Sequence, residues 1–145
     1  MKNECILSLL NYKVERIHFD LNNKFEVKEN EQIPVTPNLA RKIEKIDKNK
    51  CKVSLGFIVN QTPEEPAPFD IEIWVSGEFE VENWENENKK IVEINTVAIL
   101  FPFLRALIAT VTSNASVPPY ILPAFNVVAW FEEAEKKQKE QKKID

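Results

Sequence analysis

The stretch from Asn95 to Phe131 limits what this chain can fold into more than any other, because it joins a nearly uncharged apolar run to a cluster of prolines. Between Ala98 and Val111 a single charge, Arg105, stands among fourteen residues. Leu100, Phe101, Leu104, Leu107, Ile108 and Val111 recur at three- and four-residue spacing, so apolar side chains occupy more than half the circumference of a helix. That girth exceeds what one sheet covers. One side is expected to pack on the chain's own sheet and another on a second subunit, with Leu100, Leu104, Leu107, Ile108 and Val111 at the subunit contact. The run is shorter than the roughly 20 apolar residues that cross a bilayer, so no direct membrane insertion is expected. Pro102 is placed in the first helical turn, where its missing N–H costs nothing.

Beyond the helix, Val117, Tyr120, Ile121 and Leu122 are apolar but sit among Pro118, Pro119 and Pro123. Prolines fix φ and remove donors, which excludes a helix and disfavours a central strand. The segment is expected to be an extended crossover. Two readings stay open: a loop lying flat on its own core, or a crossover holding apolar side chains near the surface.

The remainder supplies a sheet. Ile17, Phe19 and Leu21 alternate with His18, Asp20 and Asn22, giving a half-buried strand within Tyr12 to Asn22. Residues 23 to 37 read as a long connection. A second strand from Leu39 to Ile46 needs a bulge, because Ile43 and Ile46 have opposite parity. After a hairpin tip at Asp47 to Lys50, Cys51, Val53, Leu55, Phe57 and Val59 form a third strand. The prolines of Thr62 to Pro68 make a turn region. A fourth strand puts Phe69, Ile71, Ile73, Val75, Gly77, Phe79 and Val81 on one face and Asp70, Glu72, Trp74, Ser76, Glu78, Glu80 and Glu82 on the other. A short helix is expected within Glu85 to Ile94. A last helix should start near Pro123, run through Trp130, and end in a charged, frayed tail from about residue 133. Four antiparallel strands followed by helices on the buried face define one α+β domain over residues 1 to 145.

Charge and composition exclude several kinds of function. The formal net charge is −4, with −8 concentrated in residues 64 to 93, which disfavours nucleic acid and favours a basic protein partner. Two glycines leave no phosphate-cradling loop. His18 is the only histidine, and Cys5 and Cys51 have no CxxC spacing, so no metal site, cofactor or catalytic group is expected. Ile6 to Leu10 is too short for a secretory apolar segment and no small-residue cleavage site follows, so a cytoplasmic location is expected. An apolar crossover, an acidic sheet face bearing Trp74 and a helix too apolar for a monomer all belong to binding and assembly.

The run Leu100-Phe101-Pro102-Phe103-Leu104-Arg105, then Pro118-Pro119, then Leu122-Pro123-Ala124-Phe125-Asn126, resembles the SecB family of export chaperones. The resemblance implies a homotetramer built as a dimer of dimers, with no cofactor. It also implies grooves that hold extended apolar segments of unfolded clients, to which Val117, Tyr120, Ile121, Leu122, Phe125 and Trp130 would contribute. The acidic sheet face, with Asp20, Asp70, Glu72, Trp74, Glu78 and Glu80, is similar in role to a docking plate for SecA. Arg16 and Asp70 stand where that family carries an acidic and an apolar residue. An antitoxin is the other partner the resemblance brings in. The competing reading, from a different class, is a non-catalytic small-ligand carrier or structural oligomerisation module.

Overall fold

The computed structural model describes residues 6–26, 37–82, 89–122 and residue 129. Within them lie β1 (Ile6–Leu21), β2 (Asn38–Asp47), β3 (Lys50–Val59), β4 (Phe69–Glu82) and α1 (Lys89–Ser113). The strands form one antiparallel sheet in the order β1-β4-β3-β2, and α1 lies across its apolar face. This is the expected α+β architecture. The last helix falls outside the described residues apart from Ala129, which is helical, and so do Phe125, Trp130, Cys5 and the charged tail.

The central strands follow the alternation closely. Cys51, Val53, Leu55, Phe57 and Val59 of β3 are buried, as are Phe69, Ile71, Ile73, Val75, Phe79 and Val81 of β4. A Cβ on Gly77 would lie 3.0 Å from Leu100 Cδ2, so the missing side chain lets α1 settle close onto β4. At the hairpin tip the Asn49 N–H donates to Asp47 Oδ1 at 2.8 Å. The bulge expected in β2 falls between Lys45 and Asp47, with Ile46 as the extra residue, which stays exposed while Ile43 packs against the core.

β1 is longer than expected, beginning at Ile6 rather than near Tyr12. The reason is two register shifts, between Leu9 and Asn11 and between Val14 and Arg16. Each adds a residue and restarts the alternation, so Leu7, Leu9, Tyr12, Val14, Ile17, Phe19 and Leu21 all oppose core-face positions of β4.

α1 also differs. It is one helix of 25 residues, absorbing the 89–94 part of the expected short helix, and Pro102 lies in its interior. An interior proline costs about 3 kcal/mol. Val97, Leu100, Phe101, Leu104 and Ile108, buried on either side of it, outweigh that cost at roughly 1.5–3 kcal/mol for each large side chain. At this length α1 is apolar and long enough to cross a membrane by length and composition alone, but one side of it closes the core of the sheet. The chain turns off the helix through Ser116, whose φ of 61° is left-handed.

Candidate binding surfaces

Three surfaces emerge from this frame. The first is the crossover after α1. Tyr120 packs on Phe57 of β3 with ring centroids 5.8 Å apart, and Leu122 is fully buried. An extended chain alternates its side chains, so Ile121 between them points outward and is 61% exposed. Two polar groups of α1 hold this segment. The Tyr120 N–H donates to Thr112 Oγ1 at 2.8 Å, and the Arg105 Nε–H donates to the Leu122 carbonyl at 2.9 Å. The Thr112 hydroxyl donates in turn to the Ile108 carbonyl at 2.9 Å, so this buried group is satisfied on both sides. Burial raises the Tyr120 phenol above its ordinary pKa.

Both readings left open by the sequence therefore hold, each for different residues. Val117 and Leu122 belong to the core and are corrected from the client-contact set, whereas Tyr120 is half-buried and Ile121 is presented. Thr112 and Arg105 were not singled out as anchors. They sit seven residues apart, hence on one face of the helix, and polar groups at that spacing in an apolar run are the signal that points to them.

The second surface is apolar and lies on the helix side of the molecule. Leu100, Leu104 and Ile108 face the chain's own sheet and are 0–1% exposed, so they are corrected from the subunit-contact set. A helix apolar nearly all round leaves the choice of face to the sheet, and the sheet takes these three. Leu107 and Val111 are half-buried at the margin. The outward side instead carries Phe103, 42% exposed and stacked on Tyr12 at 4.6 Å between centroids. Beside it, β1 is an edge strand, and Leu9, Val14, Ile17 and Leu21 on its core face are each more than one-third exposed.

The third surface is the opposite face of the sheet. Its acidic row on β4 is in place, but neighbouring strands set cations beside it, Arg16 as the sequence indicated and two lysines of β3 besides. Arg16 pairs with Glu72 at 3.4 Å, while Lys52 and Lys50 lie in register with Glu78 and Glu80. Asp70 accepts the Gln61 N–H at 2.7 Å and thereby fixes the β3–β4 connection. Asp20 pairs with the exposed His18 at 2.9 Å. Trp74 lies flat over Gly56, where a Cβ would meet the indole at 2.6 Å, and its Nε1–H donates to Glu72 Oε1 at 2.9 Å. Glu15, displaced by the β1 bulge, accepts from Ser76 Oγ at 2.7 Å and pairs with Lys52 at 3.3 Å. The Ser76 hydroxyl and the Lys52 ammonium hold its carboxyl below the ordinary value.

Among the described residues no cluster of three or more His, Cys, Asp or Glu is placed to hold a metal ion. Cys51 is a buried free thiol, its pKa pushed up by burial, and packs as a small apolar group. The buried polar side chains Ser76, Thr96 and Thr112 bond to nearby groups and do not converge on a cavity.

Among the described residues, a sheet covered by one apolar helix, an anchored crossover and uncovered apolar side chains present surfaces suited to binding and assembly. The match to the family described as preprotein translocase subunit SecB spans residues 4–139. An uncharacterized protein of Methanocaldococcus jannaschii is 35% identical over 141 residues, covering 94% of this chain and 90% of that protein. Protein-export protein SecB of Acinetobacter baylyi is 33% identical over 96 residues, which is 66% of this chain and 64% of that one. A SecB-like chaperone of Mycobacterium tuberculosis, solved with a ChAD peptide from the HigA1 antitoxin, superposes with a TM-score of 0.66 over 82% of this chain and 90% of the other at 12% identity. The chain belongs to the SecB family.

Proposed function

We propose that this protein is an ATP-independent holdase that binds extended apolar segments of unfolded polypeptides. The observation that carries the reading is the crossover, where Ile121 stands exposed between two inward-facing neighbours. Holding many sequences calls for apolar area that tolerates variation rather than for a closed polar pocket. The lack of convergent buried polar groups among the described residues favours this over a small-ligand carrier. Family membership supports the chaperone class and a non-enzymatic role.

The uncovered apolar row of β1 with Phe103 supports self-association, and we assign the assembly as a homotetramer, a dimer of dimers, acting in the cytoplasm. The outer face keeps more acidic than basic groups around Trp74 and is proposed to receive a basic partner, SecA or an antitoxin. The antitoxin peptide in the mycobacterial complex motivates the latter. The deciding experiment is aggregation of a heat-unfolded protein followed by light scattering, with purified chain added and no nucleotide present. Suppression near stoichiometric ratio is expected, and unchanged aggregation at excess would refute the holdase reading.

A further inference from the structure

We infer that Thr112 and Arg105 are positioning residues that preorganise the crossover as a ledge and hold Ile121 at the height a client meets. The inference rests on the holdase reading and adds what holds the contact side chain in place.

Three attachments fix a very short segment. Thr112 Oγ1 takes the Tyr120 N–H at 2.8 Å, Arg105 Nε gives to the Leu122 carbonyl at 2.9 Å, and the Tyr120 ring leans on Phe57. The residues on both sides of Ile121 are thus tied to α1, one by its amide and the other by its carbonyl. Thr112 is fully buried, and its hydroxyl directs its single proton to helix carbonyls, Ile108 at 2.9 Å and Ala109 at 3.3 Å. Only the lone-pair side is left for Tyr120, so the bond has one direction and one partner. A valine in its place would leave the Tyr120 amide without its acceptor.

The prolines contribute a further restriction. Pro118 and Pro119 are exposed, so their rings are not there to fill the core; they limit φ on the approach to Tyr120. Anchored behind by α1 and stiffened ahead by prolines, the backbone has little freedom left for binding to remove. A contact side chain on such a support avoids the ordering cost that a loose loop pays when it closes on a ligand. The occupant is an extended segment of unfolded polypeptide, which offers one apolar side chain in every two to the ledge.

The test uses the full chain and reduced, carboxymethylated lysozyme as a permanently unfolded probe, with affinity read by fluorescence anisotropy and Tyr120 amide exchange by NMR. Ile121→Ser is expected to weaken binding about tenfold with the melting temperature unchanged. Thr112→Val is expected to speed Tyr120 amide exchange at least about tenfold and to weaken binding, while Thr112→Ser, which keeps the hydroxyl, restores both. Arg105→Met should weaken binding without altering the assembly mass. Wild-type affinity in Ile121→Ser overturns the assignment of the contact residue. Fast Tyr120 exchange with wild-type affinity in Thr112→Val overturns the positioning role. Should the wild-type chain ignore the probe while Thr112→Val still frees the Tyr120 amide, the holdase reading falls, taking the functional half of the inference with it and leaving the ledge geometry standing.

Discussion

Phe103 and Leu104 are adjacent in sequence and should respond to substitution in opposite ways. Leu104 is 1% exposed against the sheet, so Leu104→Ala removes a fully packed side chain and is expected to cost about 2–5 kcal/mol of folding stability. Phe103 is 42% exposed and its described ring partner is Tyr12, so within one chain Phe103→Glu loses that stacking, about 0.5–1.5 kcal/mol, plus the burial of the shielded part of the ring, about 1 kcal/mol, while its carboxylate can reach water. At a subunit contact the same carboxylate would be buried without a counter-ion, a penalty of several kcal/mol. Three kcal/mol corresponds to about a hundredfold in dissociation constant. Urea unfolding followed by circular dichroism, together with sedimentation over a dilution series, separates the two effects. Leu104→Ala should lower the urea midpoint, and Phe103→Glu should lower the mass while the fold persists. Wild-type mass for Phe103→Glu across the whole series would refute the assignment of the outward side of α1 to a subunit contact.

Gly56→Ala should destabilise the sheet by about 1–3 kcal/mol, because the new Cβ at 2.6 Å forces the Trp74 indole to move and strains its bond to Glu72; in a Trp74→Leu background the cost should vanish, as measured by urea unfolding. Glu15→Gln should flatten the acid limb of the stability curve. The folded pKa of Glu15 is depressed, so its contribution is present above the ordinary value of 4.5 and is lost as pH falls through the lower folded value. Thermal melts between neutral pH and about pH 3 read this as a smaller acid-induced drop in the variant than in the wild-type chain.

The strands were legible wherever a period of two ran uninterrupted, as in β3 and β4, whose bounds match their patterning to within a residue. β1 was half hidden because Leu10 and Glu15 are each an extra residue, and a single insertion inverts the face on which every later side chain is read. The helix was legible in type and not in orientation. With apolar groups on nearly every side, α1 carries little directional asymmetry, so the division of Leu100, Leu104 and Ile108 from Phe103 depends on where the sheet lies. Pro102 misled in a similar way, since its preference for a first turn is a local preference that the packing of the whole helix overrides. The crossover alternation of Tyr120, Ile121 and Leu122 was present in the sequence, but the phase was not, because prolines on both sides erase the pattern that would set it. The cations beside the acidic row needed strand order, which places Lys50 and Lys52 next to Glu80 and Glu78 only once β3 is known to pair with β4.

The two margins of the sheet are unlike, and that difference governs how far a stack of such sheets can extend. Along β2 the side chains include Arg41, Lys42, Glu44 and Lys45, charges that oppose the lateral addition of a further strand. Along β1 runs the apolar row of Leu9, Val14, Ile17 and Leu21. A sheet inviting on both sides could polymerise into a ribbon without limit, whereas one inviting on a single side is used up as soon as two copies meet about a twofold axis. On the proposed reading, growth along this edge stops once two copies have met, so any larger closed assembly is built through other faces and the apolar surface there is not consumed in an open-ended ribbon.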